Sequence, residues 1–286
     1  MRWTIQNLLY AGITDLENIL KSDILVYYGP MDQWFKRIFK ELVEDLASEK
    51  KYEKMTIILT TTGGSVEASE DFVEILRHHY DVVDFIIPNY AMSAGTIFAM
   101  SGDEIYMDYA SVLWPIDPQI QWQDWKWVPA LWYLDKINEL IEKEKIEPLT
   151  QSEINMIVFQ DVGKLKFIEE SKNLTVTLLK KWLVNYKFKN WTTHLWSVNP
   201  HKIWKNVTPE EKEERAEMIA RKLGNNQHWH THGRSINRKK LWEELHLTTI
   251  DIWENEDLNL TLKKYYDTLL VYIGENNVFF QTRNSF

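Results

Sequence analysis

The sequence predicts an α/β fold with a largely parallel sheet, and two observations carry that prediction. Short apolar runs alternate with helix-period stretches across the first 110 residues. Each run is closed by glycine, proline or another turn-forming residue, the punctuation expected of βαβ units. At 286 residues the chain suits one or two domains, or one large α/β domain with a sizeable core.

The elements follow in order. Asp23-Ile24-Leu25-Val26-Tyr27-Tyr28 is a buried strand ended by Gly29-Pro30. Trp34, Phe35, Ile38, Phe39, Leu42, Val43 and Leu46 recur at helical spacing, which predicts a helix over 31–49. Residues 55–60 form a second strand, broken by Thr61-Thr62-Gly63-Gly64. Ser65 can cap a helix whose inner face holds Ala68, Phe72, Ile75 and Leu76. A third strand spans 82–87, a small-residue helix 90–101 and a fourth strand 104–107. Residues 114–129, with three prolines and four tryptophans, read as irregular. The stretch 130–188 is mostly helical and 189–209 a loop. Pro209 opens a helix with acids early and bases late, closed by Gly224. A mixed tail carries one more amphipathic helix near 258–273.

Composition excludes several classes. Cysteine is absent, which removes disulfides, thiolate nucleophiles and Cys-held metal centres. The 33 basic against 42 acidic residues give a net charge of −9, so a general nucleic-acid binder is not expected. No run of about 18 apolar residues predicts a membrane span. The first residues lack a signal peptide's apolar core, and a cytoplasmic location is the expectation. Most of the 14 tryptophans lie between Trp114 and Trp253, suited to a large core or to interfaces and pockets.

Two loops sit at the carboxyl ends of predicted strands, where α/β sheets bind ligands. One is Thr62-Gly63-Gly64-Ser65, the other Asn89 to Thr96 around Ser93. Paired glycines let a backbone approach a substrate and turn N–H groups inward. A serine at a strand-to-helix turn exposes its hydroxyl where developing negative charge is favoured. Together the loops hold a nucleophile and oxyanion donors, the parts of an acyl-transfer site. Taken singly, Ser93 can be a helix cap and Gly63-Gly64 a tight turn.

Residues 59–68 resemble the glycine-pair segment of ClpP-type and signal peptide peptidase A-type serine peptidases, and Ala91 to Thr96 their nucleophile segment. Ser111-Val112-Leu113-Trp114-Pro115-Ile116-Asp117-Pro118-Gln119-Ile120 resembles the Gly-Pro-Ile-Asp-Pro-Gln segment of the serine dehydrogenase proteinase family, a branch of that superfamily. His232-Gly233-Arg234-Ser235-Ile236, with Leu241 and Leu245, resembles its C-terminal segment. The resemblance implies a ClpP/crotonase-like fold of stacked βαβ units with a helical C-terminal region. On that pattern, 20–125 is the core and 126–286 completes the same domain. It further implies Ser93 as nucleophile, the N–H groups of Gly64 and Ala94 as oxyanion hole, and Gly63 and Trp114 beside the substrate. A homo-oligomer acting on a protein or peptide, without a cofactor, is the expected assembly.

Two departures bear on mechanism. Trp114 stands where the family has glycine, and an indole there narrows or closes the cleft. The Clp peptidases carry a histidine after the strand ending near residue 113, and this chain has Trp114-Pro115. Signal peptide peptidase A uses a lysine some fifty residues after its serine; Lys136, Lys143 and Lys145 lie in the matching region. His228-Trp229-His230-Thr231-His232 offers other options. On a strand all three histidines share a face, a zinc-like arrangement, although no metal is expected. The segment also reads as a plain loop, or as the source of a base, His232, with Asp117 orienting it. An aspartate between prolines is also ordinary turn chemistry. Arg234, Arg238, Lys239 and Lys240 read as a solvated helix start or an anion-binding patch. Three functions emerge: a serine peptidase, an inactive scaffold that oligomerises and binds a partner, and a crotonase-like enzyme acting on an acyl thioester. The serine and the Thr-Thr-Gly-Gly pattern favour the first.

Overall fold

The computed structural model describes residues 2–121, 127–194, 203–229, 231, 233–274 and 278–285. The chain opens with helix α1 (Arg2–Leu20), which the sequence reading did not anticipate. Then come β1 (Asp23–Tyr28), α2 (Lys36–Ser48), β2 (Lys54–Thr60), α3 (Val66–His79) and β3 (Val82–Ile87). The helix expected over 31–49 starts later, after a 3₁₀ turn capped by Asp32. Ser65 caps α3 as expected, accepting from the Ala68 N–H at 3.0 Å. Where a helix was expected over 90–101, β4 (Tyr90–Ala91) comes first and α4 (Ala94–Ala99) is short. β5 (Ile105–Met107) and β6 (Val112–Leu113) follow.

The region read as irregular holds β7 (Gln119–Gln121) and β8 (Trp127–Pro129), paired antiparallel. Helices α5 (Leu131–Glu144), α6 (Gln151–Val158) and α7 (Val162–Trp182) come next, the last running into a π-helical turn to Lys187. α8 (Pro209–Leu223) starts on a Thr208/Glu211 capping box with Pro209 in its first turn. α9 (Asn226–Trp229), α10 (Arg238–Leu245), β9 (Ile250–Asp251), α11 (Glu256–Ile273) and β10 (Phe279–Gln281) complete the chain.

The main sheet runs β10-β1-β2-β3-β5-β9, parallel except for β10 at one edge. Both faces are covered, so its central strands are mostly apolar, with Asp23, Thr56 and Asp84 among the buried exceptions. Leu25, Tyr27, Ile57, Leu59, Phe85 and Ile87 face α2, α3 and α4, where Phe39 and Phe72 stack at 4.2 Å. The alternate residues Ile24, Val26, Ile58 and Ile86 face Leu9, Ile13 and Leu16 of α1 and Leu262, Tyr265 and Leu269 of α11. The ends of α7 and α8, with α9 and α10, join the first core: Leu179, Trp182, Ile219, Leu223, Trp229 and Leu241 are buried with it.

Above the carboxyl ends of the strands runs a second, narrower row of pairings. Met31 bridges Gly64, Thr61 bridges Ala91, β4 pairs β6 in parallel, and Leu113 bridges Ile236. This row brings together the glycine pair, the serine turn, the Leu113 segment and Ile236.

Candidate active site

The row starts where β2 runs out. Met31 donates its N–H to the Gly63 carbonyl at 2.9 Å and accepts from the Ser65 N–H at 2.8 Å. In such a parallel bridge the middle residue turns its own N–H away from the partner. The Gly64 N–H is therefore directed off Met31, and it has no partner among the described residues. Only glycine fits here. At Gly64 (φ +146°) a Cβ would stand 2.2 Å from the Met31 carbonyl oxygen. At Gly63 (φ +86°) it would meet the Met92 carbonyl at 2.5 Å and the Ser93 Cβ at 3.0 Å. The glycine pair and the serine turn thus lie in direct contact.

Ser93 itself has φ +48° and ψ −115°, a strained combination for a side-chain-bearing residue. It occupies the cap position of α4 but makes no side-chain cap bond, so capping does not account for it. Its carbonyl accepts from the N–H groups of Thr96 (2.8 Å) and Ile97 (3.2 Å), which leaves the half-buried hydroxyl at the turn. Ala94, next in chain, is the first helical residue. Its N–H is one of the donors a helix start leaves over, and it too has no partner among the described residues. Behind the turn, Tyr90 is pushed up to about 12 by burial and by its hydrogen bond with Tyr28, so its hydroxyl stays neutral.

On the far side, Trp114 is half-buried, its backbone held by the Thr96 hydroxyl. Asp117 is fully buried, and one carboxylate oxygen accepts from the Gln119 amide at 2.8 Å. Leu113 and Ile236 exchange both backbone bonds, at 2.9 and 2.7 Å, which draws the C-terminal segment onto the row. His232 and His230 lie outside the described residues. His228 is helical, not extended, so a shared strand face is not realised there. Its Nε2 stands 3.1 Å from Glu244, which also holds Lys222 at 2.9 Å. Among the described residues no three His, Asp or Glu side chains gather as a metal site.

The three lysines named as bases sit in surface ion pairs. Lys136 meets Glu139 at 2.9 Å, Lys145 meets Glu142, and Lys143 meets Glu153 at 2.7 Å. The Lys143 ammonium is raised by Glu153, the opposite of what a base needs. The basic stretch is also locally used: Arg238 pairs with Asp251 and the Lys240 ammonium donates to the Ser235 carbonyl.

Sequence reasoning missed the residues that brace the serine turn. Thr61, Ser69 and Thr96 are all buried. Thr61 accepts from the Gly63 N–H at 3.1 Å, and Ser69 donates to the Ala94 carbonyl at 3.0 Å. For Thr61 and Thr96 the signal was a small hydroxyl residue close to a glycine; Ser69 had none.

A family model described as ClpP-like SDH-type serine proteinase matches residues 40–202, more than half of the chain. The chain belongs to this family. Its matched segment contains Gly63, Gly64, Ser93 and Asp117 and ends before His232. Two uncharacterized proteins of Methanocaldococcus jannaschii are similar to this SDH-type chain. One is 28% identical over 141 residues, covering 49% of this chain and 45% of its own. The other is 45% identical over 64 residues, covering 22% of each. The matches span less than half the length of these relatives. Among solved structures the chain is similar to a serine-to-alanine mutant of the 1510-N membrane-bound stomatin-specific protease. That pair is 14% identical with a TM-score of 0.47, covering 85% of this chain and 84% of the other. It is also similar to ClpP1 from Listeria monocytogenes, at 11% identity and a TM-score of 0.41, covering 82% and 94%. No helix among the described residues is long and apolar enough to cross a membrane.

Proposed function

We propose that this SDH-type proteinase hydrolyses peptide bonds through an acyl-enzyme on Ser93. The Ser93 oxygen attacks the peptide carbonyl, and the N–H groups of Gly64 and Ala94 hold the oxyanion that forms. The amine leaves with a proton, and water then releases the acyl group. Gly63 and Trp114 line the substrate path. His232, oriented by Asp117, takes the serine proton and returns it to the amine. The Leu113–Ile236 bridge supports that assignment: His232 is four residues from Ile236, within about 14 Å of extended chain. The substrate is a protein or peptide, and the working form is a homo-oligomer.

The observation that carries the reading is the strained Ser93, its hydroxyl free of a cap bond, with the N–H groups of Gly64 and Ala94 on adjoining segments left without a partner among the described residues. The test is labelling with a serine-directed fluorophosphonate, followed by peptide mapping. Modification of Ser93 is expected in the native chain. An unlabelled native chain would sink the peptidase reading and leave the inactive scaffold.

A further inference from the structure

We infer that Thr96 is a positioning residue of the Ser93 site, its hydroxyl tying the Trp114–Asp117 segment to the serine turn. The β4–β6 pairing ends at Ala91 and Leu113. One residue further on, the Thr96 side chain takes over from the strand ladder. Its Oγ1 accepts from the Trp114 N–H at 3.1 Å and lies 2.8 Å from the Trp114 carbonyl and 2.9 Å from the Ala91 carbonyl. One hydroxyl has one proton to donate and lone pairs to accept, so it meets the N–H and shares its proton between the two carbonyls. The same residue donates its backbone N–H to the Ser93 carbonyl at 2.8 Å. Thr96 is thus bonded to Ser93 by its main chain and to Trp114 by its side chain, and it is fully buried.

Beyond Trp114 the segment is anchored at its far end, where the Pro118 carbonyl accepts from the Ala130 N–H at 2.8 Å, and the Thr96 hydroxyl joins its near end to the serine turn. Pro115 and Pro118 carry no N–H, and the Ile116 N–H reaches Leu223 only at 3.3 Å. Asp117 is three residues from the tie. Cutting the tie loosens, at its serine-side end, the segment proposed to orient the base while leaving Ser93, Gly64 and Ala94 in place. The effect on rate rests on the peptidase reading above; the tie itself rests on geometry alone.

The experiment compares native chain, Thr96→Val and Thr96→Ser. Valine keeps the shape and removes the hydroxyl's bonds to the Trp114 N–H and to the two carbonyls, whereas serine keeps the hydroxyl. Two readouts are taken: amide exchange at residue 114, and the saturation kinetics of fluorophosphonate labelling. Thr96→Val is expected to speed exchange at Trp114 by about tenfold or more with the strands β1–β3 unchanged. It is expected to slow the labelling step by about tenfold with probe affinity within about twofold, and Thr96→Ser to restore both. Unchanged exchange at Trp114 overturns the tie, whether or not the chain is labelled at all. Faster exchange with an unchanged labelling rate overturns its role in the reaction. If Thr96→Val does not fold, the native chain still decides: a Trp114 amide as unprotected as an exposed loop overturns the tie. An unlabelled native chain counts against the peptidase reading, and the exchange arm still decides the tie.

Discussion

At the scale of single residues, Ser93 trades stability for geometry. Its φ of +48° with ψ −115° suits glycine, and a serine held there stores about 1–3 kcal/mol of strain. Ser93→Ala keeps the strain and removes the proposed nucleophile. It is expected to lose fluorophosphonate labelling by at least about a hundredfold, with a melting temperature close to the native value. Ser93→Gly removes both. After the extra freedom glycine gives the unfolded chain, a net gain of about 1 kcal/mol remains, or about 2 °C in melting temperature. Paired calorimetry of the two variants checks this, and a glycine variant less stable than the alanine one would mean that Ser93 is not strained. Ser93 and the glycine pair were legible because backbone demands leave a local trace: Gly-Gly, and serine among small residues. The base was not. Ser93, Asp117 and His232 are far apart in sequence, and only tertiary pairing of the kind seen at Leu113 and Ile236 can bring such residues together.

At the scale of elements, legibility follows how cleanly a pattern is written. The strands β1, β2 and β3 were read directly from apolar runs, and α8 from its proline and charge order. Helix α1 escaped although Leu9, Ile13 and Leu16 carry its buried stripe, because exposed Trp3, Leu8 and Tyr10 blur the opposite face. β9 and β10, of two and three residues, are too short to show alternation and exist by pairing with longer strands. A testable case at this scale is the start of α6. Thr150 and Glu153 form a capping box, and Glu153 also pairs with Lys143. The Lys143 ammonium and then the Thr150 N–H hold the Glu153 carboxyl down to about 2. A carboxylate depressed in the folded state stabilises above its ordinary value, and that contribution is lost as pH falls toward about 2. Glu153→Ala, which removes both the cap acceptor and the charge, should therefore speed amide exchange in the first turn of α6 at neutral pH. Equal exchange in native chain and variant at pH 7 would contradict the cap.

At the scale of the whole molecule, the ends are tied and the middle is bare. Arg283, in the tail, reaches Glu17 of α1 at 2.8 Å and Asp23 of β1 at 2.7 Å, both acids fully buried. Removing one partner of a buried pair strands the other charges, so Arg283→Ala should cost about 3 kcal/mol in urea unfolding. The α5–α6–α7 region is the reverse. Its own buried cluster is Ala130, Leu131 and Ile168. Around its turns Ile146, Val158, Phe159, Val162 and Phe167 are 67–87% exposed. Fully covering these five side chains would remove on the order of 600 Å² of apolar surface from water, at the top of what a lone monomer usually shows. Six tryptophans among the described residues are also largely exposed, while Trp182 and Trp229 fill the core. A second copy of the chain is the occupant proposed for this face. Light scattering at micromolar concentration should give a multiple of 34.2 kDa. Phe159→Asp with Phe167→Asp, changes at exposed positions that spare the core, should return the mass to a single chain. A native chain that already scatters as a monomer would remove the assembly proposal, and the labelling rate of the double variant would show whether the cleft needs its neighbour.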